Sequence, residues 1–369
     1  MKLEQLDTPA LFVDLDVLES NLEAMQQRIN KLGVKLRPHT KAHKIPALAQ
    51  MQIDRGASGI CVAKLGEAEV MAAGRIKDIL ITTPIAGETK YQKLIDLKLR
   101  HPKITLIQVI DSKEHVLAIG NMAKNAGVTI PLIIEVESGQ QRCGLDADEG
   151  LIALIKLINS TAGVSYEGIQ AYSGHLQHTK GYEQRNKVAR AAVKDVFEFI
   201  ENELTEDDLR PSIISGGGTG TFEAYQGLSY TEIQAGSYIF MDNAYQKIGD
   251  EHQNDINQQF GIALKVLTSV ISHPKPNRAV VDAGTKCLSI DMGVAEVESH
   301  PDIMYQSGGD EHGILHLPST HCPELKLGQK LIMHPSHCDT TLHNFNQLVG
   351  VRNGEVVTTW QIEGRGRSD

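Results

Sequence analysis

The sequence predicts an α/β fold, a (β/α)8 barrel of the TIM type joined to a second, mostly antiparallel β-domain. Three observations carry this expectation. Short apolar runs alternate with longer amphipathic ones as far as residue 245, and strands alternating with helices imply a parallel sheet. Eight such units fit into about 220 residues, which suits a closed barrel. Beyond residue 246 the helical pattern stops and strand-like runs follow one another directly. An open doubly wound sheet is the alternative, but it calls for a glycine-rich first turn, and here that turn reads RPHTKAHK.

Taken in order, residues 9–14 (PALFVD) form an apolar run that we expect to lend a strand to the β-domain. The first helix opens on a capping box, Asp16 with Glu19. Leu18, Leu22, Met25, Ile29 and Leu32 then recur on one helical face until Gly33 ends it. The eight barrel strands are expected at 34–38, 59–64, 79–83, 104–110, 130–137, 167–173, 212–215 and 231–234. Helices are expected at 65–76, 88–99, 113–126, 147–158 and 182–204. The β-domain strands fall at 261–271, 277–282, 312–317, 329–334 and 347–360, the last split by Asn353-Gly354, a hairpin signal. The expected domains are thus a barrel over 16–245, and a β-domain over 246–369 completed by a strand from 1–15.

Composition narrows the function. Of 369 residues, 41% are hydrophobic and 22% charged, enough to bury a large core. Lysine and arginine number 36 against 46 acids, for a net charge of −10, which argues against nucleic acid or an anionic membrane as partner. No apolar run reaches the roughly 18 residues of a membrane span. The start MKLEQLDTPA lacks a secretory pattern. Five scattered cysteines (Cys61, Cys143, Cys287, Cys322, Cys338) suggest free thiols in a reducing cytoplasm.

Barrel active sites lie at the C-terminal ends of the strands, so the polar residues after each strand are the candidates. After the first come Arg37, His39, Lys41, His43 and Lys44; after the fifth, Arg142 in SGQQRCG; after the sixth, Tyr172, His175 and His178 in AYSGHLQH. After the seventh comes SGGGTGT with Gly217, Gly218 and Thr219, and after the eighth AGSYIFMD with Gly236, Ser237 and Tyr238. Glycine-rich turns expose N–H groups that cradle phosphate, helped by hydroxyls such as those of Thr219 and Ser237. A single GGG marks a tight turn as readily as a phosphate; two such loops at strands seven and eight favour the phosphate. With a lysine at strand one, this suggests pyridoxal phosphate, whose aldehyde needs an amine. Most lysines are surface groups; Lys41 stands out by following a strand between His39 and His43. Lys44 is the rival, placed further out where the next helix opens.

A second constellation is HPSHCDTT, 334–341. On a strand, residues two apart share a side, so His337 and Asp339 would share a metal while Cys338 points away. An O/N pair favours Mn²⁺, Mg²⁺ or Co²⁺ over the softer Zn²⁺. An ordinary polar loop is the plainer reading. His178 is a candidate neighbour, and His312 in GGDEHG is either a structural histidine or part of the same site. His101, His115, His252 and His273 read as solvated surface residues, and Trp360 with the GRGRSD tail as closing the β-domain.

RPHTKAHK, QRCG, QAYSGHLQH, SGGGTGTFE, QAGSYIFMD, DAGTK, DEHG and PSHCD occur in this order. The set resembles the D-threonine aldolase and D-serine dehydratase group of fold-type III pyridoxal-phosphate enzymes, related to the N-terminal domain of alanine racemase. The resemblance runs from Thr8-Pro9 to the GRGR tail. It implies that Lys41 is the Schiff-base lysine with His39 beside it in the cofactor site, that Arg142 lies near the cofactor's phenolic oxygen and that Tyr172 lies near its ring nitrogen. It assigns Gly217, Gly218, Thr219, Gly236, Ser237 and Tyr238 to the phosphate loops. His337 and Asp339 match the metal pair, with Mn²⁺ placed ahead of Mg²⁺, Co²⁺ and Zn²⁺, and His178 matches a histidine beside the metal.

The His-x-Asp motif, where dehydratases usually carry His-x-Cys, and the AYSGHLQH loop both point to the aldolase branch. Ala63 in CVAK departs from the polar residue such aldolases tend to carry and leaves substrate preference open. The implied reaction is cleavage of a D-β-hydroxy-α-amino acid, D-threonine-like, to glycine and an aldehyde, with His178 as general base. The alternative is a dehydratase acting on D-serine or D-3-hydroxyaspartate. A non-catalytic cofactor carrier is a third reading, but a carrier needs no metal pair. By analogy with fold-type III enzymes, a homodimer is expected.

Overall fold

A computed structural model describes residues 1–252, 255–318 and 324–369; Cys322 lies outside the described residues. The chain divides into two compact units, one of Met1–Ala24 with Ser237–Arg365 and one of Met25–Gly236 with Gly366–Asp369. No described helix is long and apolar enough to cross a membrane.

Strand β1 (Ala10–Asp14) leads directly into helix α1 (Leu15–Leu32). The helix cap differs from expectation. Asp14, not Asp16, caps it, its Oδ1 accepting the N–H groups of Asp16 (3.1 Å) and Val17 (3.3 Å). Asp16 and Glu19 instead hold the Arg352 guanidinium at 2.8 and 2.7 Å. The apolar stripe is buried as its period requires, with Leu18, Met25 and Ile29 inaccessible.

The barrel unit then alternates β2 (Lys35–Leu36), α2 (Pro46–Asp54), β3 (Ile60–Val62), α3 (Leu65–Ala73), β4 (Asp78–Ile81), α4 (Glu88–Arg100) and β5 (Thr105–Ile110). It continues with α5 (Lys113–Asn125), β6 (Ile130–Glu135), α6 (Glu149–Ser160), β7 (Val164–Ala171), α7 (Tyr182–Glu203), β8 (Ile213–Gly216) and β9 (Glu232–Ile233). Eight strands form one sheet in the order β2-β9-β8-β7-β6-β5-β4-β3, every pair parallel. The two ends meet: His39 bridges Cys61 in parallel, Ser58 N–H donates to Leu36 O (2.8 Å), and Cys61 N–H donates to Pro38 O (2.8 Å). The sheet is therefore a closed barrel, with Cys61, Leu80, Ile107, Val109 and Ile133 among its core.

Two side chains of this unit sit otherwise than expected. Arg37 does not join the mouth. Its Nε donates to both carboxylate oxygens of Glu232 (2.8 Å each) and its Nη1 to Asp78, residues that open β9 and β4. The guanidinium therefore faces the N-terminal ends of the strands, opposite the catalytic end of such a barrel. His115 is buried rather than solvated, held by Ser112 Oγ (2.9 Å) and Asp111 (3.3 Å).

The other unit holds α8 (Asn243–Gln246), β10 (Leu264–Lys275), β11 (Arg278–Val281), β12 (Glu296–Val297), β13 (Met304–Ser307), β14 (Gly313–His316), β15 (Lys330–His334), α9 (Cys338–Leu342), β16 (Gln347–Arg352) and β17 (Glu355–Gln361). Its sheet runs β11-β14-β13-β12-β15-β10-β1-β16-β17, and β11 also pairs with β10, so the strands from β10 round to β15 close a ring. All pairs are antiparallel except β1 with β16. Asn353 and Gly354 both have positive φ (52° and 76°), which a two-residue type I′ turn requires. The GRGRSD tail divides. Arg365 Nε donates to His343 O (3.0 Å) in this unit, whereas Arg367 pairs with Glu69 and Asp369 with Lys93 (2.9 Å) in the barrel unit.

Candidate active site

The Lys41 turn is built by its neighbours. After β2 the chain makes one 3-10 turn, Thr40–Ala42, with His39 as its cap. The Lys41 amide donates to His39 Nδ1 (3.3 Å), so the imidazole proton sits on Nε2 and goes to Thr82 Oγ1 (3.1 Å), which donates onward to Val62 O (3.0 Å). Burial, then the charges of Lys41, Arg142 and Lys44 with the neighbouring His43 ring, hold the His39 pKa well below the usual histidine range. His39 is thus a neutral, fixed ring. Thr40 Oγ1 donates to Cys61 O (3.0 Å), and His43 is locked between Ile45 N–H (3.1 Å) and Gln52 Oε1 (3.2 Å).

Lys44 is neither further out nor the start of the next helix, which Ile45 caps. It lies buried in the left-handed region (φ 56°), ion-paired to Glu67 at 2.8 Å. The Glu67 carboxylate also accepts the N–H groups of Ala63 (2.8 Å) and Lys64 (3.3 Å). Lys44 is therefore spent on structure, while Lys41 stays half-buried at the strand end.

Arg142 and Tyr172 come together, the guanidinium 5.8 Å from the ring centroid, a cation–π distance. Glu135, at the end of β6, meets Arg142 Nη2 at 3.4 Å, and burial raises the Glu135 pKa despite that arginine. Asp111 Oδ2 accepts Gly144 N–H (3.3 Å) and so fastens the other end of the Arg142 loop.

The glycine-rich loop after β8 is tied down by Gln177, which the sequence reading passed over. Gln177 Nε2 donates to Thr221 Oγ1 (2.9 Å), and its Oε1 accepts Gly220 N–H (3.0 Å). A Cβ at Gly218 would lie 2.5 Å from Gln177 Oε1 and one at Gly220 2.1 Å from Gln177 O, so both glycines answer to this close approach. The Gly218 N–H reaches Thr221 Oγ1 (3.2 Å). At Gly236 a Cβ would meet His39 O at 2.8 Å, which seats that loop against the Lys41 turn. His178 is half-buried in the turn after β7, and His175 is exposed.

In the other unit, Ser237 is 7% exposed and the Tyr238 side chain is fully buried against Phe260, ring centroids 6.0 Å apart. Tyr238 would therefore serve a phosphate through its backbone only. Asp242 caps α8 through Tyr245 N–H (2.8 Å) and accepts Cys338 N–H (2.8 Å). Burial lifts its pKa to about 6.

His337 and Asp339 are not strand neighbours. His337 is the extended cap residue of α9 and Asp339 lies in that helix's first turn, so the alternation argument fails while both side chains stay half-buried. His337 Nδ1 is 2.6 Å from Asp291 Oδ2, so Nε2 is the nitrogen that could face a cation. Cys338 Sγ donates to Asp339 Oδ1 (3.3 Å). His312 is exposed. Among the described residues, no group of three or more His, Cys, Asp or Glu side chains forms a metal cage. A cation here would have two protein donors, and the hard-leaning O/N donor set fits Mn²⁺. The barrel unit's donor set likewise fits pyridoxal phosphate: an amine at Lys41, a guanidinium at Arg142, a phenol at Tyr172 and a glycine-threonine turn.

Residues 13–244 match the family model of the alanine racemase N-terminal domain, and residues 263–351 match a putative serine dehydratase domain. The chain belongs to the alanine racemase N-terminal domain family. It is a pyridoxal-phosphate-dependent lyase of fold type III. It is 36% identical to a 3-hydroxy-D-aspartate aldolase of Paracoccus denitrificans (strain Pd 1222), over 100% of this chain and 94% of that protein. It is 37% identical to a D-threonine aldolase of Arthrobacter sp, over 99% and 94%. The crystal structure of D-threonine aldolase from Filomicrobium marinum superposes with a TM-score of 0.92 at 33% identity, covering 100% of this chain and 98% of that one. Relatives named as dehydratases are more distant, at 30, 24 and 22% identity.

Gln177, Glu67, Glu135 and Asp291 were not singled out from sequence. Glu67 had a signal, since it stands three residues after the helix cap where a carboxylate reaches back to the chain. The other three acquire partners only through tertiary approach.

Proposed function

We propose that this lyase is a divalent-metal-dependent aldolase that cleaves D-β-hydroxy-α-amino acids of the D-threonine type to glycine and an aldehyde. The observation that carries the reading is the full-length match, at 36 and 37% identity, to two aldolases of D-β-hydroxy amino acids, together with His337 and Asp339 in the His-x-Asp motif.

Lys41 would hold the cofactor through its amine, and neutral His39 fixes the turn that presents it. Arg142, steadied by Glu135, would offer a positive charge to the phenolic oxygen, and Tyr172 would face the ring nitrogen. Gly217, Gly218, Thr219, Gly236, Ser237 and Tyr238 would hold the phosphate, Tyr238 through its amide. His337 and Asp339 would hold the cation, with Mn²⁺ preferred. When bound, pyridoxal phosphate supplies an electron sink at Cα and the cation a Lewis acid at the β-oxygen. His178 takes the proton from the β-hydroxyl. The Cα–Cβ bond breaks, Cβ leaves as the aldehyde, and Cα gains a proton to become glycine.

The same reading expects a cytoplasmic protein, consistent with free Cys61, Cys143, Cys287 and Cys338, and a homodimer. The test is product analysis of the Mn²⁺- and pyridoxal-phosphate-loaded protein with D-threonine and a D-3-hydroxyaspartate. Glycine plus aldehyde is expected. A 2-oxo acid plus ammonia, without glycine, would transfer the protein to the dehydratase branch.

A further inference from the structure

His337 is oriented by a carboxylate far away in sequence. Asp291 Oδ2 lies 2.6 Å from His337 Nδ1, and its other oxygen, Oδ1, accepts Thr340 Oγ1–H at 3.0 Å. Both oxygens of Asp291 are thereby fixed. The segment that bears it is clamped to the same loop. Ser289 Oγ lies between His337 O (3.3 Å) and Thr340 Oγ1 (2.7 Å), Ser289 N–H donates to Thr341 Oγ1 (3.3 Å), and Ser336 Oγ donates to Ser289 O (2.7 Å).

A histidine that ligates through one nitrogen gains from a carboxylate on the other. The carboxylate fixes tautomer and ring orientation and makes the ligating nitrogen more basic. The side chain of Asp291 is 46% exposed, so packing alone gives it little reason to adopt this geometry. We propose that Asp291, set by Thr340, is the positioning residue of the metal centre, holding His337 with Nε2 turned to the cation. This rests on the reading of His337 and Asp339 as the metal pair.

The experiment titrates Mn²⁺ into the pyridoxal-phosphate-loaded protein and follows free Mn²⁺ by electron paramagnetic resonance. It compares wild type with Asp291→Asn, Asp291→Glu, Thr340→Val and His337→Ala. Asp291→Asn is expected to weaken Mn²⁺ binding about 10- to 100-fold, Asp291→Glu to restore part of it, and His337→Ala to abolish it. Thr340→Val, which keeps the carboxylate but frees its second oxygen, should lose affinity several-fold and covers the case in which Asp291→Asn misfolds. Asp291→Asn binding within twofold of wild type, while His337→Ala loses the ion, overturns the inference and leaves the metal pair standing. Loss by Asp291→Asn as complete as that of His337→Ala makes Asp291 a ligand and overturns it too. Mn²⁺ binding that survives His337→Ala removes the metal pair, and the inference with it.

Discussion

The buried Lys44–Glu67 pair should be the costliest polar contact around the Lys41 turn to break. Its side chains are 11% and 2% exposed and meet at 2.8 Å. At an effective dielectric of about 20, that separation is worth about 6 kcal/mol of gross attraction, most of it offset by desolvation. Removing one partner strands the other. Glu67→Gln leaves an ammonium without its counter-charge, at about 3–5 kcal/mol. Lys44→Met should cost less, about 2–3 kcal/mol, because the carboxylate keeps the N–H groups of Ala63 and Lys64. The double variant leaves no stranded charge and should recover at least about 2 kcal/mol of the summed losses. Urea denaturation of the apo-protein measures this cycle. Thermal melts should show Glu67→Gln lowering Tm by about 6–20 °C, at about 2–4 °C per kcal/mol. Since the Lys44 amide also donates to Thr40 O (2.7 Å), the singles should weaken the visible cofactor band as well. Additive losses, within about 0.5 kcal/mol, would show the two side chains to be energetically independent and refute the argument.

Two other outcomes follow from the same geometry. Gln177→Ala deprives Gly220 N–H and Thr221 Oγ1 of their partner, so affinity for pyridoxal phosphate should fall about tenfold, measured by equilibrium dialysis. Glu298 is brought down from 4.5 to about 2, chiefly by its hydrogen bond from His334 and then by Lys265, so its stabilisation is complete above about pH 4.5 and is lost as pH falls toward 2; Glu298→Gln should flatten the stability-against-pH curve in that window, read by denaturant midpoints.

The barrel was legible because its signal is periodic. Each of β2 to β9 falls at one of the expected runs, since strands covered on both faces read as mostly apolar stretches. What escaped is what periodicity does not encode. β12 and β13 are short, and Met304 in β13 is 63% exposed, so no alternation marks them. Asp16 looked like a cap because the rule reads spacing alone, yet Asp14 stands where the backbone turns. Arg37 shares its motif with Lys41 but points the other way, toward acids that only the closed barrel brings near. At the candidate site, Lys41, Arg142 and the glycine loop were visible as residue types at strand ends. The protonation of His39 and the ties from Gln177 and Asp291 were not, because each depends on groups delivered by another part of the chain.

Strand β1 has a consequence for synthesis. Leu11 faces Val266 and Phe12 faces Val349, so both neighbours of this apolar strand are encoded after the barrel. A nascent chain therefore leaves the ribosome with its first strand unmatched, while the barrel behind it already has every strand it needs. The barrel can fold during translation; β1 must wait as a bare edge until the last third emerges.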